Sequence, residues 1–348
     1  VEKTEQAKQN PFVRFARLWR TNPLFSTGMA LVVMVILQTI AITVNSSFSS
    51  PADWLGKWFS NWVNILRNNA GIGIISLGMA FVIISGGIDL SVGSLYAATG
   101  AFCLVLLDTG TVGLLGKLGL TGVPAILAAV VLTVLFALAL GECNGLLISY
   151  GKLPPFIATL GAMQIFRSVT QYSMKGKSVA LPSEFLAISQ ASIGGQRIMP
   201  ILYWALVVVA MFVVSRHTAF GRHVFAVGSN ERTTSLSGVN VKSVKRRVYA
   251  VMGLLVGVAS ILQLSRVGSL DYASGGSGYE MDAIAAVVVG GTSMSGGRGS
   301  IIGTVFGTLI VAVMNNLLNL IGVDPYLSSA FKGAIIIGAV LLQRKERN

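Results

Sequence analysis

Asp89 and Ser91 stand directly behind a glycine pair in Val82-Ile83-Ile84-Ser85-Gly86-Gly87-Ile88-Asp89-Leu90-Ser91-Val92-Gly93-Ser94, where an apolar run breaks and restarts. The segment Ala286-Val287-Val288-Val289-Gly290-Gly291-Thr292-Ser293-Met294-Ser295-Gly296-Gly297 has the same shape. Glycine permits a sharp turn, and Asp or Ser at the restart can cap exposed N–H groups. Helix ends aimed at a cavity offer donors and acceptors to a polar solute without a fixed charge. Gly86, Gly87, Asp89, Ser91, Gly290, Gly291, Thr292 and Ser293 are therefore candidates for a solute pathway. The alternative is a pair of short cytoplasmic turns between hairpin helices, with Asp89 only an N-cap, since glycine turns are common. Both readings stay open. Glu142 and Asn144 fall at the end of the fourth apolar span, and Asn315, Asn316 and Asn319 lie at helical spacing in the ninth. The asparagines read first as interhelical hydrogen-bonding groups and second as solute contacts.

None of these residues forms a reaction centre. Cys103 and Cys143 lie in or beside apolar runs, with neither disulfide nor metal spacing. Both read as buried small hydrophobes. His217 and His223 flank a basic stretch without a partner ligand. Gly176-Lys177-Ser178 lacks the first glycine of a phosphate loop, since position 171 is Gln, and does not follow a strand. Neither a His-Glu-x-x-His nor a Gly-x-Ser-x-Gly motif occurs. No catalytic residue, metal or cofactor is expected.

The elements that position these residues are membrane helices. Of 348 residues, 53% are hydrophobic and 11% charged, with mean hydropathy +0.73. Soluble domains carry about a quarter charged residues. Continuous apolar runs close to the ~20 residues needed to cross a bilayer predict helices rather than a barrel. The fold class is an all-α integral membrane protein of about ten transmembrane helices, some of them broken, with both termini cytoplasmic. The expected spans are 24–44, 69–85, 91–108, 123–140, 155–172, 200–215, 248–264, 281–291, 301–321 and 326–342. The eighth is too short to cross alone.

Lys and Arg concentrate in the loops that an even count places inside. Arg14, Arg17 and Arg20 precede the first span, and Arg344, Lys345 and Arg347 end the last. Residues 45–61 read as an outside loop with Trp54, Trp58 and Trp62 at headgroup level. Arg67, Arg167, Arg266 and Lys332 are placed near span ends, where they can snorkel. The domain reading is a cytoplasmic segment 1–23 without a cleaved signal, one transmembrane domain 24–342, and a cytoplasmic tail 343–348. The net charge of +13 is assigned to topology and anionic lipid rather than nucleic acid.

One polar insert, 217–247, interrupts the apolar body. Asn230 is a good N-cap, Glu231 follows in the first turn, and Gly238 is placed to end a helix of about two turns. Such a helix suits docking into another protein, or is a surface helix with lipid-facing cations.

Five ordered blocks resolve that choice by resemblance. They are Gly86-Gly87-Ile88-Asp89-Leu90-Ser91-Val92-Gly93, Pro155-Phe156-Ile157-Ala158-Thr159-Leu160-Gly161, the stretch 228–241, the stretch 278–293, and Asn315-Asn316-Leu317-Leu318-Asn319-Leu320-Ile321-Gly322-Val323. With them the chain resembles, over nearly its whole length, the permease subunit of the ribose/galactose-type branch of bacterial ABC sugar importers. Where that family usually has Ala-Ala, this chain has Arg232-Thr233, which leaves the docking contact's detail open. The resemblance implies a permease dimer, homodimeric or paired, in the bacterial cytoplasmic membrane. It also implies cytoplasmic ATPase subunits and an external sugar-binding protein. The insert would be the coupling helix, with Asn230, Glu231, Thr234, Leu236, Ser237 and Gly238 in or beside the contact. Asp282 would start the broken eighth span near the outer mouth. ATP would be handled by another chain, and the cargo would be a neutral monosaccharide or, in the alternative, a nucleoside. A self-contained ion-coupled carrier is the rival class, and it calls for ion ligands in mid-membrane.

Overall fold

The computed structural model describes residues 23–324 except 111, 112, 176 and 178, together with 327, 330, 331, 333, 334 and 337. Its helices are α1 (Pro23–Asn45), α2 (Pro51–Ile84), α3 (Val92–Leu107), α4 (Leu114–Lys117), α5 (Gly122–Ser149), α6 (Pro155–Met174) and α7 (Ser183–Gln190). They continue as α8 (Met199–His217), α9 (Ala219–Ser229), α10 (Glu231–Leu236), α11 (Val241–Val267), α12 (Tyr279–Val289) and α13 (Ile301–Leu320). Among the described residues, the only strand-like feature is an isolated bridge, Ile193 to Gln196. Six described helices, α1, α2, α5, α8, α11 and α13, are long and apolar enough to cross a membrane. The chain is a multi-pass membrane protein. Most of the tenth expected span, Lys332, both terminal basic clusters and most of Gly176-Lys177-Ser178 lie outside the described residues.

Several helices run further than their apolar stretches. α2 is 34 residues, about 51 Å long. It starts where Ser50 accepts from the Asp53 N–H at 3.2 Å, with Pro51 in the first turn and Asp53 paired to Lys57 at 3.0 Å. The outside loop expected over 45–61 is therefore shorter, because residues 51–61 are helical. Trp54, Trp58 and Trp62 lie along this helix at ring spacings of 6.4 and 6.0 Å. The indoles of Trp54 and Trp58 donate to Thr43 and Thr39 of α1 at 2.9 and 3.1 Å. α5 continues to Ser149, so Glu142 and Asn144 sit inside a helix rather than at its end. α11 begins at Val241, capped by Asn240, which accepts from the Ser243 N–H at 3.0 Å. Arg67 lies inside α2, two residues before the expected start of the second span, and donates to Asn64 Oδ1 at 2.7 Å. Cys103 is buried as expected, but Cys143 is exposed on α5.

The interior is built on the second half of α2 and on α11 and α12, all heavily buried. α11 packs most extensively on α5. Small residues four apart bring the two backbones together: Ala137, Gly141 and Gly145 on α5 face Gly257, Gly253 and the Arg246 backbone on α11. A Cβ on Gly253 would lie 2.9 Å from the Gly141 Cα, and one on Gly257 2.6 Å from the Ala137 Cβ.

Candidate functional site

Both glycine breaks are helix C-termini of the same type. At the end of α2, the Gly86 N–H donates to Ile83 O at 2.9 Å and the Gly87 N–H to Val82 O at 2.9 Å. At the end of α12, the Gly291 N–H donates to Val288 O at 2.9 Å and the Thr292 N–H to Val287 O at 3.1 Å. Gly86 and Gly291 have φ of +83° and +85°, the left-handed conformation that such a cap requires and glycine alone adopts cheaply. The resemblance between the segments thus extends to matched hydrogen bonds.

The breaks also touch. The Gly297 N–H donates to Ile84 O at 2.9 Å, and a Cβ on Gly296 would lie 3.2 Å from the Gly86 Cα. Gly290, Gly291, Thr292 and Ser293 occupy the turn after α12, and the Ser293 N–H is held by Arg298 O at 3.0 Å.

Between α2 and α3, residues 85–91 form a largely buried connection tied to three helices. Asp89 Oδ1 accepts from the Ser91 N–H at 2.9 Å and from its hydroxyl at 2.6 Å. Asn144 of α5 donates to Ser91 Oγ at 2.9 Å. Tyr249 of α11 and Thr159 of α6 donate to Ile88 O at 3.4 and 3.5 Å. Asp89, Ser91 and Asn144 are thereby brought together, each about 1% exposed or less. Asp89 does not cap α3 as expected. Its carboxylate closes a turn onto Ser91, and Ser91 makes no side-chain cap bond. Asp89 Oδ2 is buried without a hydrogen-bond partner.

The remaining candidates lie elsewhere. Asp282 is buried in the first turn of α12, at the start of the short span as expected. Asn315 is on α13 with a buried, unsatisfied Oδ1. Its neighbour Asn316 accepts from Gln38 at 2.6 Å, and Gln38 also donates to Asn61 at 3.0 Å. This cluster joins α1, α2 and α13. Glu142 pairs with Arg246 at 2.9 Å.

At the far end of α11, Arg266 donates to Asn68 at 2.9 Å and Arg167 to Gly275 O at 2.8 Å. The rings of Tyr96 and Tyr279 meet at 5.0 Å. In the adjoining loop, the Ser274 hydroxyl and N–H and the Ala273 N–H hold the Asp271 carboxyl below its ordinary range.

The insert is more structured than its sequence suggested. α9 packs against α2, with Phe220 stacked on Phe81 at 6.0 Å. α10 follows, capped by Asn230, which accepts from the Thr233 N–H at 2.9 Å. Thr234 is buried and donates to Asn230 O at 2.8 Å. Glu231 pairs with Lys245 of α11 at 2.6 Å. Gly238, at φ +85°, turns the chain after Ser237. Leu236 is left 82% exposed on this platform. Sequence reasoning missed Tyr249, Thr159 and Gln38, polar groups whose partners lie far along the chain.

Residues 61–340 match the family model described as branched-chain amino acid transport system / permease component. The chain is 39% identical over 320 residues to the ribose import permease protein RbsC of Bacillus subtilis, covering 91% of this chain and 92% of that protein. It is 36% identical over 326 residues to the galactose/methyl galactoside import permease protein MglC of Escherichia coli, covering 90% and 93%. It is 32% identical over 343 residues to the D-allose transport system permease protein AlsC of E. coli, covering 98% and 97%.

Proposed function

The chain belongs to the monosaccharide permeases of the ATP-binding-cassette importers, and from that membership we propose that it carries a neutral monosaccharide across the cytoplasmic membrane, driven by separate ATPase subunits. The relatives' printed cargoes are ribose, galactose or methyl galactoside, and allose, all uncharged polyols. A neutral cargo suits an interior with few charges, since a charged solute would need compensating residues.

The observation that carries the coupling reading is Leu236. An apolar side chain 82% exposed, on a short helix braced by Asn230, Thr234 and the Glu231–Lys245 pair, is a preformed knob for a groove in another protein. Asn230, Glu231, Thr234, Leu236, Ser237 and Gly238 are assigned to that ATPase contact on the cytoplasmic side. Gly86, Gly87, Asp89, Ser91, Asn144, Asp282, Gly290, Gly291, Thr292, Ser293 and Asn315 are assigned to the solute pathway or its immediate support. The working unit is a permease dimer with two ATPases and an external sugar-binding protein. Import then alternates between two arrangements whose balance the partners shift.

One observation favours the rival ion-coupled reading. Asp89 is a buried carboxylate with an unsatisfied oxygen, which in membrane helices marks ion or proton paths. Reconstitution decides between them. Sugar uptake that requires the ATPase and ATP supports the importer, whereas gradient-driven uptake by this chain alone supports the carrier.

A further inference from the structure

We propose that Gly228 is a positioning residue: its backbone, packed against the hydrogen bond from the Gly297 N–H to Ile84 O, is where a push on the insert passes to both glycine breaks at once. The inference rests on the coupling reading above. It starts from a packing fact. A Cβ built on Gly228 would fall on the carbonyl oxygen of Ile84 and 2.6 Å from the Gly297 nitrogen. A Cβ on Gly296 would lie 2.9 Å from Gly228 O, and one on Gly297 2.7 Å from the Ser229 Cα. Three chain segments, distant in sequence, therefore meet backbone to backbone, bridged by the Gly297–Ile84 hydrogen bond of 2.9 Å.

Side chains could absorb a displacement by changing rotamer, but bare backbone at van der Waals contact cannot. α9 is also held against α2 a turn earlier, through the Phe220–Phe81 stack, so it bears on α2 at both ends. α9 leads directly into α10, the exposed platform. From Ile84 the displacement continues through Gly86 and Gly87 into residues 88–91, which are bonded to Tyr249, Thr159 and Asn144. From Gly297 it enters the turn 293–298 between α12 and α13. One contact thus loads both broken segments together, the arrangement a two-state rearrangement needs if the two are not to move independently.

The test uses the reconstituted complex with its ATPase and binding protein. In Gly228→Ala, ATPase should still co-purify and hydrolyse ATP, while sugar uptake falls about tenfold or more and the ATP consumed per sugar rises accordingly. Normal uptake at the normal ATP-to-sugar ratio overturns the junction. Parental chain that transports without any ATPase overturns the coupling reading itself, a separate outcome. If Gly228→Ala fails to assemble, spin labels at Ser235→Cys and Ser295→Cys in a Cys143→Ala background decide. Their distance distribution should be the same in nucleotide-free and nucleotide-trapped complexes, with a Ser235→Cys/Ser183→Cys pair reporting that the complex has switched. A change in the Ser235–Ser295 distance overturns the proposal.

Discussion

Asn144 of α5 donates to Ser91 Oγ at 2.9 Å, and Ser91 in turn donates to Asp89. This chain of buried polar groups pins the connection between α2 and α3 to a helix more than fifty positions away in sequence. Removing Asn144 should release that connection. Asn144→Leu leaves the buried Ser91 hydroxyl short of a donor and should cost about 1–3 kcal/mol. Thermal unfolding of the purified protein in detergent checks this, and an unshifted midpoint would show that the bond contributes nothing.

Asp89→Asn separates the two transport readings. The amide keeps an acceptor for Ser91 and removes the unsatisfied charged oxygen, so folding should be unharmed. If the carboxylate is only a turn-former, ATP-driven uptake should stay within about twofold of the parent, since the Ser91 bonds survive. Loss of uptake with folding retained would mean that the carboxylate itself acts in transport, by contacting the solute or, as the ion-coupled reading requires, by carrying an ion or a proton.

Gln38 is predicted to hold helices together and to take no part in transport. Gln38→Leu breaks its bonds to Asn61 and Asn316 and should cost about 0.5–2 kcal/mol of stability, typical of interhelical hydrogen bonds in membranes. Uptake per correctly inserted molecule should be unchanged. A specific loss of uptake would place this cluster on the solute path.

The insert's side of the membrane can be read directly. In intact cells, a Ser235→Cys variant should resist an impermeant thiol reagent added outside and react once the cytoplasmic face is opened. The exposed native Cys143 requires a Cys143→Ala background for this measurement. Labelling from outside would invert the topology and remove the coupling reading.

Parts of this architecture were legible because the signals were local. Gly86 and Gly291 could be found from their glycine pairs, and the Asn230 cap from its sequence context, since each depends on a few adjacent residues. Hydropathy drops after Leu140, which puts Asn144 at a helix end on sequence alone. The helix continues regardless, as its backbone bonds need no apolar side chain and Gly141 and Gly145 are used for packing. Residues 51–61 looked like a loop for the same reason, although Ser50, Pro51 and Asp53 form a standard helix start. The meeting of Gly228 with Ile84 and Gly297 had no local signature, because close backbone approach between distant segments is a property of packing. The partner of Gln38 was hidden likewise, 278 positions along the chain.

The most direct test of the central claim is ATP-driven uptake by the reconstituted complex carrying Leu236→Pro. α10 is a six-residue helix, and proline at its last position would disrupt the platform without touching the membrane helices. The account predicts normal membrane insertion, loss of ATPase co-purification and no ATP-dependent sugar uptake. Uptake at the parental rate would contradict it.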